Sequence, residues 1–293
     1  MTKLTKYDLT MNIDHHVFGG EQTRIKLSAL AKYLPAYTTA LSKRNFRLNY
    51  VDAFAGTGAC HVNVGGNRHL IRGSASIAIE CQPPFDRLFF IEAKRRYAQA
   101  LQRLQKDTPD LNIEVIHGDA NTFLPEVLQK MAAKADRAVV FLDPYGMSVD
   151  WATVTRCAES KIVDLWYLFP LSGLYRQAAN DSRAIDPDKV EALNRMLGTE
   201  RWRTDFYVPK PQKDMFSNEE FDVRAADVEQ MTEWVTRHLE HIFPAVLPPK
   251  ILYQNRQSGK RGAPLFALYF AVSNPDPKAL GLALKIAKDI LKA

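Results

Sequence analysis

Apolar residues at Leu27, Leu30, Leu34, Tyr37 and Leu41 recur every three or four positions, so residues 22–42 read as one amphipathic helix. Beyond it the pattern changes. Leu48 to Phe54, Arg87 to Glu92, Ile113 to His117, Ala138 to Leu142 and Ile162 to Phe169 are short runs, apolar through most of their length. Runs of this kind predict strands covered on both faces. Helical patterns separate them: a helix beginning at Ser74, then Lys94 to Leu104, Thr122 to Lys134 and Trp151 to Ala158. Strands alternating with helices predict a parallel sheet with right-handed crossovers. Residues 61–72, with Gly65-Gly66 and Asn67, read as a loop insertion.

The pattern weakens from about Gln177 to Arg224, a polar stretch carrying Pro187, Pro209 and Pro211. Val228, Met231, Val235, Leu239 and Ile242 then mark another helix. Ile251 to Asn255 and Leu265 to Val272 predict two last strands around a basic turn, and Lys278 to Leu291 a closing helix. The expected organisation is an N-terminal helical extension over residues 1–46 and one α/β domain over 47–293, with an insert at 177–225.

Composition adds limits. The chain has 293 residues, 46% hydrophobic and 25% charged, as in ordinary globular proteins. No apolar stretch approaches the ~20 residues of a membrane helix. Met1 to Thr10 lacks an apolar signal core, so a cytoplasmic protein without a membrane partner is expected. Cys60, Cys81 and Cys157 form no CxxC pair, so neither a metal nor a cluster is expected. Cys60 alone, beside a glycine-rich turn, is placed to line a pocket. The net charge of +6 permits contact with phosphate backbones. Its clusters are Lys43-Arg44 with Arg47, Lys94-Arg95-Arg96, Arg201 with Arg203, and Arg256 through Arg261. They support nucleic-acid binding only if they converge on one surface.

Four predicted strand ends carry polar chemistry: Asp52-Ala53-Phe54-Ala55-Gly56-Thr57-Gly58, Glu92, Gly118-Asp119-Ala120-Asn121 and Asp143-Pro144-Tyr145-Gly146. Open α/β sheets bind ligands at such carboxyl ends. The glycine turn lacks the third glycine of a dinucleotide site, since His61 stands there, and lacks the Gly-Lys-Ser/Thr of a P-loop. S-adenosylmethionine (SAM) has no phosphate and suits these residues better. Asp52 is placed for its ammonium, Glu92 for the ribose hydroxyls, and Asp119 for the adenine amine beside Ala120 and Asn121. The alternative is that Asp52 and Asp119 are helix caps or turn residues.

Asp143-Pro144-Tyr145 suits an exocyclic nucleobase amine, whose lone pair is delocalised into the ring. A carboxylate and the Pro144 carbonyl can accept its two hydrogens and aim the pair at a methyl group. Tyr145 can stack on an extruded base. Catalysis would then be chiefly positioning.

At these residues the chain resembles the class I SAM-dependent methyltransferases, and more narrowly the three-Cys-motif partner protein family. The resemblance rests on the helix with Lys26, the Asp52–Gly58 turn, Gly73-Ser74, Ile91-Glu92, Gly118–Asn121 and Phe141–Gly146, and covers residues 20–170 best. It implies a Rossmann-like, mostly parallel seven-stranded sheet with helices on both faces, and a three-cysteine-motif partner protein. More distantly the chain is similar to the J-type ribosomal RNA adenine-N6 methyltransferases. That likeness implies that Ser74, Glu92, Asp119 and Ala120 contact SAM, that Asp143 is catalytic, and that Lys26 lies near the active site, where it would meet the substrate; Phe54, Gly56 and Gly58 of the turn are expected at the cofactor as well.

There are departures. The J-type pattern has Asp-Pro-Pro-Tyr, a histidine where Phe54 stands and a proline where Ala75 stands. Asp143-Pro144-Tyr145-Gly146 is nearer the Asp-Pro-aromatic-Gly of tRNA guanine-N2 methyltransferases, which leaves adenine and guanine both open. The expectation is methyl transfer from SAM to an amino nitrogen, foremost of RNA or DNA. Competing readings are a small-molecule or peptide methyltransferase working with a partner enzyme, and a non-catalytic binding module.

Overall fold

The computed structural model describes residues 20–64, 67–210, 221–255 and 261–292. His15, His16 and residues 256–260, all of the last basic cluster but Arg261, lie outside the described residues. In chain order the elements begin with α1 (Glu21–Leu41), β1 (Arg47–Asp52), β2 (Ala59–Val64), β3 (Asn67–Arg72) and α2 (Ser74–Ile79). Then come β4 (Arg87–Glu92), α3 (Arg95–Asp107), β5 (Ile113–His117), α4 (Ala120–Gln129), β6 (Asp136–Leu142), α5 (Trp151–Glu159) and β7 (Val163–Phe169). After the insert, α9 (Val228–Glu240), β10 (Ala245–Asn255), β11 (Arg261–Val272) and α10 (Pro277–Lys292) complete the fold.

Seven strands form one sheet in the order β10-β11-β7-β6-β1-β4-β5. β7, β6, β1, β4 and β5 are mutually parallel, and β11 runs antiparallel to both β7 and β10. Successive side chains on a strand alternate between faces, so each strand feeds two cores. Ala138, Val140 and Leu142 of β6 join one core with α4, α5 and α9, while Val139 and Phe141 join the other with α1, α2 and α10. Both faces are therefore covered, which is why these strands are apolar along their length. Helix α1 belongs to this packing: Leu30, Tyr33 and Leu34 are fully buried against the sheet.

Two local expectations change. Residues 61–72 are not a loop but the antiparallel hairpin β2–β3, in register from Ala59–Arg72 to Val64–Asn67. Its base is closed by Gly73 N–H donating to the Gly58 carbonyl at 2.7 Å. Val62 is buried but Leu70 is exposed, so no continuous apolar run marked these strands. Helix α4 stops at Gln129 rather than Lys134, with Lys130 as its cap.

Helix α6 (Leu171–Gln177) leads into the insert, whose described residues form a 3₁₀ turn (Ser182–Ala184), α7 (Pro187–Leu197) and α8 (Trp202–Phe206), followed by the short pair β8 (Tyr207–Pro209) and β9 (Asp222–Arg224). Leu193, Met196, Leu197, Trp202 and Phe206 are buried in the same core as α5 and α9. No helix among the described residues is long and apolar enough to cross a membrane.

One buried acid sets a pH dependence. Asp164, on β7, accepts a 2.6 Å hydrogen bond from the Tyr33 hydroxyl. Burial raises its pKa to about 7, opposed by the Tyr33 bond and the Arg137 charge. The unfolded value is about 4. Folding thus favours the protonated acid, and the stability this confers is complete below pH 4 and lost as pH rises through about 7. Asp164→Asn, which keeps an acceptor for Tyr33, is expected to melt progressively higher than the parent as pH rises from 4 to 8. A melting-temperature difference that is the same at pH 5 and pH 8 would refute this origin.

Candidate active site

The carboxyl ends of β1, β4 and β6 meet beside the first turns of α1 around a cleft of about 430 Å³. β1 delivers Asp52, and the chain then turns sharply. Ala53 N–H donates to the Phe141 carbonyl of β6 and Ala55 N–H to the Ile91 carbonyl of β4, both at 3.1 Å. The turn is thus tied to both neighbouring strands. Gly56 and Gly58 carry positive φ of 64° and 80°, which glycine adopts without strain. A Cβ on Gly58 would also lie 2.5 Å from Leu104 Cδ1.

Glu92 ends β4 beneath this turn. One carboxylate oxygen accepts from Gly56 N–H at 2.9 Å and the other from Lys94 N–H at 2.8 Å. Burial raises its pKa, against the pull of these two bonds. Asp52 is wholly buried. It accepts from the Tyr50 hydroxyl at 3.2 Å and from Phe54 N–H at 3.4 Å. Burial lifts its pKa to about 7, opposed by Ser74 and reinforced by the charge of Asp143.

Asp143, just beyond β6, forms an ion pair with Lys26 of α1, both side chains being about one-fifth exposed or less. Pro144 is buried, and Tyr145 projects at the rim with 42% of its surface exposed. Lys94 Nζ stands 4.7 Å from the Tyr145 ring centre and 5.2 Å from that of Tyr97. Burial first, then the charges of Glu92, Asp143 and Cys60, push the Tyr145 phenol up to about 12. Asp143 and Tyr145 thus stand close to the carboxylate under the glycine turn.

The structure brings together most of the residues singled out in the sequence. Lys26, Phe54, Gly56, Gly58, Ser74, Asp143, Pro144 and Tyr145 line the cleft, as does Cys60. Asp52 and Glu92 support its floor. Asp119, Ala120 and Asn121 lie at the end of the next strand and do not line it. Asp119 is the N-cap of α4, accepting from Asn121 N–H at 2.9 Å. Asn121 clasps the loop after β6, donating to the Ser148 carbonyl and accepting from Asp150 N–H and Thr153 Oγ1, each at 2.9 Å.

Gln22, Thr23, Tyr97 and Phe266 also line the cleft and were not anticipated. Tyr97 follows the flagged Lys94-Arg95-Arg96 cluster directly, so its place in the first turn of α3 was the available signal. The basic clusters do not all converge. Lys94 is at the rim, Arg44 lies at the far end of α1, and Arg47 pairs with Asp136 at 2.8 Å. No group of three or more His, Cys, Asp or Glu among the described residues is arranged to hold a metal ion.

The strand order, the antiparallel β11 and the covered faces define a class I methyltransferase-like fold, with the cleft at the carboxyl ends of the central strands. Among solved structures, the chain is similar to protein LPL1258 from Legionella pneumophila, of the family DUF519, with 12% identity and a TM-score of 0.51 over 93% of each chain. Weaker likenesses run to Trm1 from Pyrococcus horikoshii, solved with SAM, and to a SAM-dependent methyltransferase from Clostridium acetobutylicum. The first has 13% identity and a TM-score of 0.40 over 94% of this chain and 76% of that one. The second has 12% identity and a TM-score of 0.37 over 82% and 90%. Scores of that size establish no common fold. No protein-family model matches the sequence, and no curated protein does.

Proposed function

We propose that this protein transfers a methyl group from SAM to an exocyclic amine, foremost that of a nucleobase in RNA or DNA. The observation that carries the reading is the sharing of one cleft by the Gly56–Gly58 turn and the Asp143-Pro144-Tyr145 motif. The residues present fit the cofactor. Gly56 and Gly58 keep their part of the cleft free of side chains, and Glu92, beneath the turn with each oxygen accepting one backbone N–H, keeps a further lone pair on each for ribose hydroxyls. When bound, SAM supplies a methyl carried on a positively charged sulfur.

The chain's own residues do the positioning. Asp143 and the Pro144 carbonyl accept the two amine hydrogens, which concentrates the nitrogen lone pair and fixes its direction. Lys26 holds the Asp143 carboxylate in place. Tyr145, exposed at the rim, stacks on the base. On methylation the amine would give up one proton to solvent, while Asp143 and the Pro144 carbonyl keep hold of the nitrogen. Lys94, beside Tyr145, favours a phosphate-bearing substrate over a neutral one.

The sequence resemblance also supports membership of the three-Cys-motif partner family, with a three-cysteine protein as companion. Calorimetric titration with SAM, using NAD as the control, tests the cofactor. Labelled methyl uptake on RNA, on DNA and in the presence of the companion tests the substrate. Saturable binding of SAM but not NAD, with label in a nucleobase amine, is the expected result. Absence of SAM binding would overturn the reading.

A further inference from the structure

A second cavity, of about 360 Å³, lies at the other end of α1, beneath the amino-terminal edge of β7 and against α10. It is within the size range of small-molecule sites. Tyr37 lines it 11 positions after Lys26, so the two sites are about 16 Å apart along the helix.

Its deepest polar groups are Asp164 and Tyr37, only 8% and 5% exposed. Asp164 has one oxygen bonded to Tyr33, and its other oxygen has no hydrogen-bond partner among the described residues. The Tyr37 hydroxyl has none either among them. Neither of these two oxygens is sealed from solvent, so both are open to the cavity. The walls are apolar: Leu41, Phe46, Leu282 and Ile286. Cations stand around this acid without an ion pair to it. Arg44 and Lys278 are exposed, and Arg137 is half-buried with its guanidinium 4.0 Å from the Phe46 ring centre. The remaining acid, Asp276, is occupied at the start of α10, accepting from Lys278 and Ala279 N–H at 3.0 Å.

We infer that this cavity is a second binding site, for a small ligand with a protonated amine on an apolar body. The ammonium donates to the open oxygen of Asp164 and to the Tyr37 hydroxyl oxygen. The apolar body lies between α1 and α10, and the ligand's free end, facing Arg44 and Lys278, is neutral or anionic. The site is independent of the methyl-transfer cleft.

Phenethylamine, titrated into the full chain while backbone amide shifts are followed by NMR, tests this. Saturable shifts are expected in residues 37–46, 162–164 and 274–286. Phenethyl alcohol is expected to bind at least tenfold more weakly, as is phenethylamine to Asp164→Asn. Shifts centred instead on residues 54–60 and 143–146 would mean that the amine prefers the Asp143 cleft, and would overturn the inference. So would equal binding of the alcohol, an unaffected Asp164→Asn, or no saturable shift, the last meaning that the cavity holds only water. If Asp164→Asn does not fold, the alcohol comparison and the shift map decide the question in the unaltered protein.

Discussion

Asp143→Ala is expected to retain SAM binding within a few-fold while turnover falls by about 10²- to 10³-fold, as when one preorganised polar contact to a reacting group is removed. The split follows from position. Asp143 lies beyond β6 on the acceptor side of the cleft, whereas the glycine turn and Glu92 belong to β1 and β4. The variant also leaves the Lys26 ammonium without its partner. A free cation there would repel the sulfonium of SAM, so a modest loss of affinity is expected from that source. Lys26→Met combined with Asp143→Ala should restore the affinity but not the turnover. Single-turnover methyl transfer, with calorimetry on the same samples, separates the two effects. Normal methylation by Asp143→Ala would sink the mechanism.

Glu92→Ala is expected to weaken SAM binding by about 1.5–3 kcal/mol, the value of a hydrogen bond to a charged group. Two losses contribute. The ribose hydroxyls lose their acceptor, and Gly56 and Lys94 N–H lose the carboxylate that holds the turn. Because burial raises the Glu92 pKa, its ionised form is lost sooner on acidification than that of an ordinary carboxylate. SAM affinity should therefore fall as pH drops from neutral, and this dependence should flatten in Glu92→Ala. Unchanged affinity in the variant would remove Glu92 from the cofactor site.

How far the chain could be read in advance depended on how local each signal was. β4 and β5 were legible to the residue because their apolar residues are bounded by charged or polar ones at the strand ends, Arg87 and Glu92 for β4 and His117 for β5. Helix α1 was legible from its spacing alone. The β2–β3 hairpin was not, because it lies outside the two covered faces of the main sheet and needs few buried side chains. Asp119 offered two readings, ligand contact or helix cap. The structure makes it a cap whose carboxylate is exposed. The expected cofactor contact of Asn121 was through its backbone, and its side chain has a separate task, holding the loop after β6 and the first turn of α5.

By itself the sequence determined the alternation of strands and helices, the ends of the central strands and the residue types gathered at those ends. Apolar periodicity and glycine turns are set by neighbours a few positions apart, and they survive in a one-dimensional reading. The tertiary structure alone decided that Lys26 pairs with Asp143, 117 positions away, that Phe266 of β11 reaches the same cleft, and that Asp52 is sealed beneath it. It also decided that Asp164 faces a cavity instead of an ion-pair partner. Such contacts arise from strand order and from how helices cross the sheet. A local pattern does not carry them, because chain separation says nothing about which surfaces packing brings together.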